Sequence, residues 1–469
     1  MKPIDPAVFE RDVYALQPDI LLGPDGDLPG AVLVVADGRI AAVGPAADLP
    51  PAFRDVPIVR LEKRAIVPGF LDVHHHVIEP FAKALTAGEP AQIWKRIWMP
   101  LEATATPERC YLGAKWTFLE SLRGGITTVV EHAIRARECI DAVNRAADDC
   151  GIRLVSSTGA YDLKNFSTNT VTPDASGSID AALAAAEIHV ADCRRYPNVT
   201  PSLACGTVQS NSGEMIRALS GFCRDNGILF QIHANEHTPE VQACLEAHGK
   251  RPIEFLHTLG ALGPQTLIAH ATLVTPEEMR LLKETDTAVA YNPVASLWKG
   301  NAVAPALQYV ENGIRVGLGS DGTRNDGFRM IDAAEACQRI AFGMPTDDFS
   351  CGAGWRWVHA ATQGGASACG LGDRTGALIP GRMADFLVLD CSGPEVLPSW
   401  DFTWELVRYY DRADIASTVV AGKLVMHAGR ATRFDSEAFL EEAMREGSQW
   451  MRDTPIVRLH GPSANYRLT

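Results

Sequence analysis

An α/β fold, a TIM-type (β/α)8 barrel carrying a small β-sandwich built from both chain ends, is what this sequence predicts. Three observations point to it. Between residues 66 and 375, short apolar segments alternate with helical stretches. Several of those segments end in groups able to hold or serve a metal ion. Outside that region, Val- and Ala-rich strand patterns recur toward both ends.

The elements follow in order. Residues 31–43 (Ala-Val-Leu-Val-Val-Ala-Asp-Gly-Arg-Ile-Ala-Ala-Val) read as two strands around a turn at Asp37-Gly38, a strong hairpin signal between apolar runs. Barrel strands are expected at 67–73, 126–131, 152–157, 200–205, 228–233, 266–270, 287–291 and 314–320. Helices are expected between them, among others at 103–123, 137–150, 179–194, 212–226, 275–285 and 328–342. Strand patterns return at 385–390 and 417–425, and a last helix is expected near 436–452. The domains are accordingly 1–65 with 376–430, a barrel over 66–375, and a helical extension over 431–469.

At 469 residues the chain exceeds the size at which one core stops growing. Its 46% hydrophobic and 21% charged content is that of a soluble globular protein. A net charge of −14 opposes binding to nucleic acid or an anionic membrane. Eleven cysteines, an odd number with no CxxC spacing, argue against a disulfide framework and for a reducing compartment. No uncharged apolar run approaches the ~18–20 residues of a membrane helix, and Met1-Lys2-Pro3-Ile4-Asp5 does not open a leader pattern. A cytoplasmic location is expected.

His74 and His76 lie two apart at a strand end, so their side chains share a face, and two imidazoles there can reach one ion. His75 points the other way, toward packing or support. Phe230-Gln231-Ile232-His233 ends a strand, and Glu236 follows on the loop. Glu236 is either a proton acceptor beside the ion, able to pass that proton to a leaving nitrogen, or a helix-start carboxylate. The role of neighbouring His237 stays open. His270 ends the strand Thr266-Leu267-Ile268-Ala269-His270 and either binds the ion or hydrogen-bonds to water and substrate. Asp321 ends the strand from Ile314, before Gly322, and can bind a metal, orient a water and shuttle its proton. The fourth strand, Thr200-Pro201-Ser202-Leu203-Ala204-Cys205, offers no Lys to bridge two ions, which favours a single metal.

Four further stretches accompany these: Val67-Pro68-Gly69-Phe70-Leu71-Asp72-Val73-His74-His75-His76; Gly125-Ile126-Thr127-Thr128-Val129; residues 248–256, His-Gly-Lys-Arg-Pro-Ile-Glu-Phe-Leu; and residues 376–386, Gly-Ala-Leu-Ile-Pro-Gly-Arg-Met-Ala-Asp-Phe. With them the chain resembles the amidohydrolase superfamily, in its branch of cytosine/guanine-type deaminases, S-adenosylhomocysteine deaminases and triazine hydrolases. The resemblance implies one divalent ion, zinc before iron, held by His74, His76, His233 and Asp321. It implies catalytic roles for Glu236 as proton shuttle, for His270 and for Asp321. The implied reaction is attack of metal-bound hydroxide on a ring carbon of a small nitrogen heterocycle, with release of ammonia. It also implies a homo-oligomer, relatives often being dimers or larger.

Two stretches depart from that branch where substrate is read. Cys205-Gly206-Thr207-Val208-Gln209-Ser210 replaces a Pro-His-x-Pro-Tyr-like segment, and residues 292–299, Asn-Pro-Val-Ala-Ser-Leu-Trp-Lys, only partly match Pro-x-Ser-Asn-x-Lys. Trp94 and Trp98 either stack on a flat ring or pack in the core. Glu131 and His132 are candidates to line the mouth, and Arg324 is either a substrate clamp or a surface ion pair. Alternatives to ammonia release are expulsion of chloride, sulfide or an alkylamine from the same site, and a non-catalytic metal- or ligand-binding homologue.

Overall fold

The structure, a computed structural model, describes residues 4–86, 89, 93–134, 136–162 and 178–459. Its centre is a sheet of eight parallel strands in sequential order: β1 (Phe70–His75), β2 (Ile126–Glu131), β3 (Arg153–Ala160), β4 (Val199–Thr207), β5 (Leu229–Ala234), β6 (Thr266–His270), β7 (Ala288–Tyr291) and β8 (Val316–Leu318). Apart from Thr158 and Gly159 of β3, Thr200, Pro201 and Thr207 of β4 and His233 of β5, these strands are buried, as a sheet covered by helices requires. The seam between β8 and β1 is closed beyond the strand ends. Asp321 N–H donates to the His74 carbonyl at 2.9 Å, and Ser320 N–H donates to Asp72 Oδ1 at 3.0 Å.

The expected strand 314–320 pairs as a strand only over Val316–Leu318, and it packs closely against its neighbours. A Cβ on Gly317 would lie 2.7 Å from Val73 Cγ2. The helix expected from residue 103 begins at Pro107, where Thr106 caps it by accepting from Arg109 N–H at 3.3 Å. Met99–Ala103 is a separate short helix.

Leu71, Val73, Val130, Val155, Leu229 and Leu267 cluster with Ala366 and Ala368 of the helix Gln363–Ala368. In β5 and β6 these leucines come before His233 and His270. A dry apolar plug thus fills the barrel toward the N-terminal strand ends, leaving the C-terminal rim for polar groups.

The two chain ends meet in one nine-stranded mixed sheet. Its path runs Arg430–Ala431, Lys423–His427, Ile415–Val420, Phe386–Asp390, Ile58–Pro68, Val13–Gly23, Val32–Ala36 and Arg39–Gly44, with Gly26–Pro29 paired to Val13–Gly23. The expected hairpin turns at Asp37 and Gly38, both left-handed with φ of 49° and 74°, as a two-residue turn between twisted strands demands. Leu33 and Val35 enter one apolar cluster, Val32 and Val34 another, so both faces of this sheet are covered.

Arg153, at the start of β3, donates twice to buried Asp385 beside the terminal sheet, at 3.0 and 3.1 Å. The helix Ser436–Asp453 lies against the helix Pro107–Arg123, its Trp450 indole donating to Thr104 Oγ1 at 2.9 Å. Among the described residues no helix is long and apolar enough to cross a membrane.

Candidate metal centre

Five imidazoles and one aspartate converge at the C-terminal rim. Ring centroids lie 5.2 Å apart for His74 and His76, 4.8 Å for His74 and His233, and 5.4 Å for His74 and His270. The ligating atoms of His74, His76 and His233 all fall within 4.8 Å of one another, as do those of His74, His270 and Asp321. His76 Nε2 stands 3.7 Å from Asp321 Oδ1.

Local backbone geometry aims these groups. The β1–β2 register shifts between Asp72 and His75, and such an irregularity re-aims the side chains next to it. His270 and Asp321 have φ of 73° and 56°, left-handed values that cost non-glycine residues energy and concentrate at functional sites. His75 faces away, toward Ser320 Oγ at 3.0 Å and Asn325 Nδ2 at 3.3 Å. Asp72 accepts from both the backbone and the hydroxyl of Ser320, tying β1 to the turn that presents Asp321.

The donor set fits a divalent cation. Among the described residues, neither ring nitrogen of buried His74 has a hydrogen-bond partner, an arrangement costly to bury unless something else binds them. His233 Nδ1 donates to the Gly206 carbonyl at 2.8 Å, which leaves Nε2 free to face the other rings. Burial holds His74 and His233 below the usual imidazole range and brings His76 to about 4, so these rings are neutral, as ligation requires. Burial alone would raise Asp321, but Lys299 beside it, and then His270, hold it well below the carboxylate range.

Glu236 lies on the loop after β5. Its Oε1 accepts from Asn301 Nδ2 at 2.7 Å, and lies 3.1 Å from His237 Nε2 and 3.5 Å from His270 Nε2. It does not cap the following helix, Thr238–His248; Glu240 instead accepts the Glu236 N–H at 2.8 Å and sets the loop. Asn292 Nδ2 lies 3.2 Å from His270 Nδ1.

His132 follows β2, with its ring centroid 4.2 Å from that of His233. Trp98 is buried, and its indole lies 3.3 Å from where a Cβ on Gly322 would sit, next to Asp321. Arg324 is not brought into this group; it donates to Asp326 Oδ2 at 2.9 Å. Beside His76 and His132 a cavity of about 380 Å³ opens, walled by Ile78, Glu131, Ile134 and Leu203.

Lys299, Asn301 and Asn292 were not singled out from the sequence as site residues. Asn292 and Lys299 had a positional signal, at the two ends of the partly matching segment 292–299, whereas Asn301 lies beyond it and had none.

Gly319 shows how tightly the rim is built. A Cβ there would lie 2.2 Å from Asn292 Oδ1 and 2.9 Å from His74 Cβ. Gly319→Ala is expected to displace both and to destabilise the protein by about 1–3 kcal/mol. Thermal melting and metal content measured together check this; an unchanged melting temperature at full metal content would contradict the crowding.

Comparison with known proteins agrees with this architecture. The sequence pattern of the Amidohydrolase family matches residues 65–425. The chain is 30% identical over 426 residues to a 5-methylthioadenosine/S-adenosylhomocysteine deaminase of Nitratidesulfovibrio vulgaris, covering 90% of this chain and 93% of the relative. An adenosine deaminase from Xanthomonas campestris with bound zinc has a similar fold, with a TM-score of 0.83 at 23% identity, covering 95% of this chain and 99% of that one. So has an atrazine chlorohydrolase from Arthrobacter aurescens complexed with zinc, with a TM-score of 0.81 at 21% identity, covering 92% and 100%. Barrel, rim histidines and sequence relationship agree: this chain belongs to the amidohydrolase family.

Proposed function

We propose that the protein is a metal-dependent aminohydrolase that replaces an amino group on a ring carbon of a small nitrogen heterocycle by water and releases ammonia. The observation that carries this reading is one buried rim where neutral His74, His76 and His233 meet Asp321, with Glu236 and His270 alongside. The deaminase relative spanning 90% of the chain supports the choice of leaving group.

His74, His76, His233 and Asp321 would hold the cation. Three imidazoles and a carboxylate suit zinc, and zinc is present in both structural neighbours described above. When bound, the cation supplies Lewis acidity that makes a water nucleophilic at neutral pH.

The chain's own groups handle the protons. Glu236 takes the proton of the attacking water and gives it to the departing nitrogen, which leaves as ammonia. With Asn292 donating to Nδ1, the His270 proton sits on Nε2, facing Glu236 Oε1 at 3.5 Å and Asp321 Oδ2 at 3.7 Å. In that tautomer His270 is a donor to substrate or water rather than a ligand. The cavity beside His76 and His132 receives the rest of the substrate, with Trp98 as a wall.

A panel of aminated purines, pyrimidines, pterins and triazines, assayed for ammonia with metal analysis on the same sample, tests the proposal. Thorough chelation is expected to abolish turnover, and zinc to restore it. Turnover that survives chelation, or product formed without ammonia, would overturn it; chloride or alkylamine release would assign the triazine-type reaction instead.

A further inference from the structure

We infer that Lys299 is a built-in counter-cation for Asp321, which competes with the divalent ion for that carboxylate and passes to Glu79 when the ion binds. The inference rests on the metal site proposed above.

Lys299 ends the helix Pro293–Lys299, and its side chain is only 15% exposed. Its ammonium is ion-paired with Asp321 Oδ2. The same carboxylate faces the proposed ligands, its Oδ1 lying 3.7 Å from His76 Nε2. A divalent cation and an ammonium held against one buried carboxylate repel each other strongly, because little water screens them. One must move, and the lysine has four flexible carbons with which to do so.

Glu79 supplies the second position. It is 2% exposed, and its Oε2 has no hydrogen-bond partner among the described residues. That oxygen lies 2.6 Å from where a Cβ on Gly322 would sit, and Gly322 is the neighbour of Asp321 in the chain. Burial and the nearby Glu102 and Asp321 disfavour charge on Glu79, whereas Lys299 favours it. A buried carboxyl oxygen with no partner among the described residues, in electrostatic reach of Lys299, is the berth the displaced lysine needs. Without the ion, Lys299 keeps Asp321 compensated; with it, the ammonium satisfies Glu79. Lys299 is thus a positioning residue that sets how tightly the site holds its cation.

Zinc affinity, measured by competition with a chromogenic chelator, tests this in a double-mutant cycle. Lys299→Met is expected to bind zinc roughly ten-fold or more tightly, the scale on which one charge within a few ångströms acts. Lys299→Arg should stay near wild type. Glu79→Gln should weaken zinc binding, because the displaced ammonium loses its acceptor, and should have no effect once Lys299 is Met. The metal-free Lys299→Met protein should melt lower than wild type and gain more on adding zinc.

Unchanged or weaker binding by Lys299→Met overturns the competition. A Glu79→Gln effect that persists without Lys299 overturns the transfer. If Lys299→Met does not fold without metal, Glu79→Gln in the natural background decides, and unchanged affinity there counts against the inference. A wild-type chain that takes up no zinc overturns the metal reading itself, which separates the two failures.

Discussion

Glu236→Gln is expected to lower kcat by about 10³-fold, within the 10²–10⁴ range of a lost general acid–base group, while metal content stays at the wild-type level. Gln keeps the shape and can still accept from Asn301 Nδ2, now 2.7 Å from Oε1, so the loop stays in place. What it cannot do is take a proton. Burial works against charge on Glu236, yet His270, His237 and Lys299 hold it well below the usual carboxylate range, so it is ionised and ready to accept. Its Oε1 lies 3.5 Å from His270 Nε2, on the same side as Asp321 Oδ2. Single-turnover kinetics with metal analysis separate the possibilities. A variant that loses its metal would make Glu236 a ligand; one that keeps near-wild-type kcat would remove it from the proton path.

The strands were legible because each barrel segment is a short apolar run bounded by turn residues, and four of them end in His or Asp. Period-two alternation placed His74 and His76 together and turned His75 away, where it meets Ser320 and Asn325. What could not be read is geometry that depends on contacts distant in the chain. The left-handed φ of His270 and Asp321 leaves no mark on residue type, since neither is glycine. The pairing of Arg324 with Asp326 is a local competition between two nearby charges and a distant pocket, which spacing alone does not decide. Lys299 had only a weak signal, as the closing lysine of the partly matching segment 292–299. It sits on a short helix end, where a lysine ordinarily faces water, and only the fold brings it to an aspartate just beyond the next strand.

The largest expected loss of stability lies away from the rim. Arg153 and Asp385 are each 1% exposed in their side chains and form a two-pronged pair between β3 and the segment entering the terminal sheet. Asp385 also accepts from Thr375 Oγ1 at 2.6 Å and from Ala421 N–H at 2.7 Å, so one carboxylate satisfies donors from three separate stretches of chain. Asp385→Ala strands all of them, above all a guanidinium that cannot lose its charge. Breaking one partner of such a buried pair costs about 3–5 kcal/mol. Removing both charges costs less, because the surviving penalty is then mainly unfilled space rather than an uncompensated ion. Arg153→Met with Asp385→Leu is therefore expected to recover part of the melting temperature that Asp385→Ala loses. Because Arg153 stands at the start of β3, away from the histidine rim, the folded fraction of either variant should keep its metal and its kcat. An Asp385→Ala protein that melts like wild type would mean the pair adds nothing to holding barrel and sheet together.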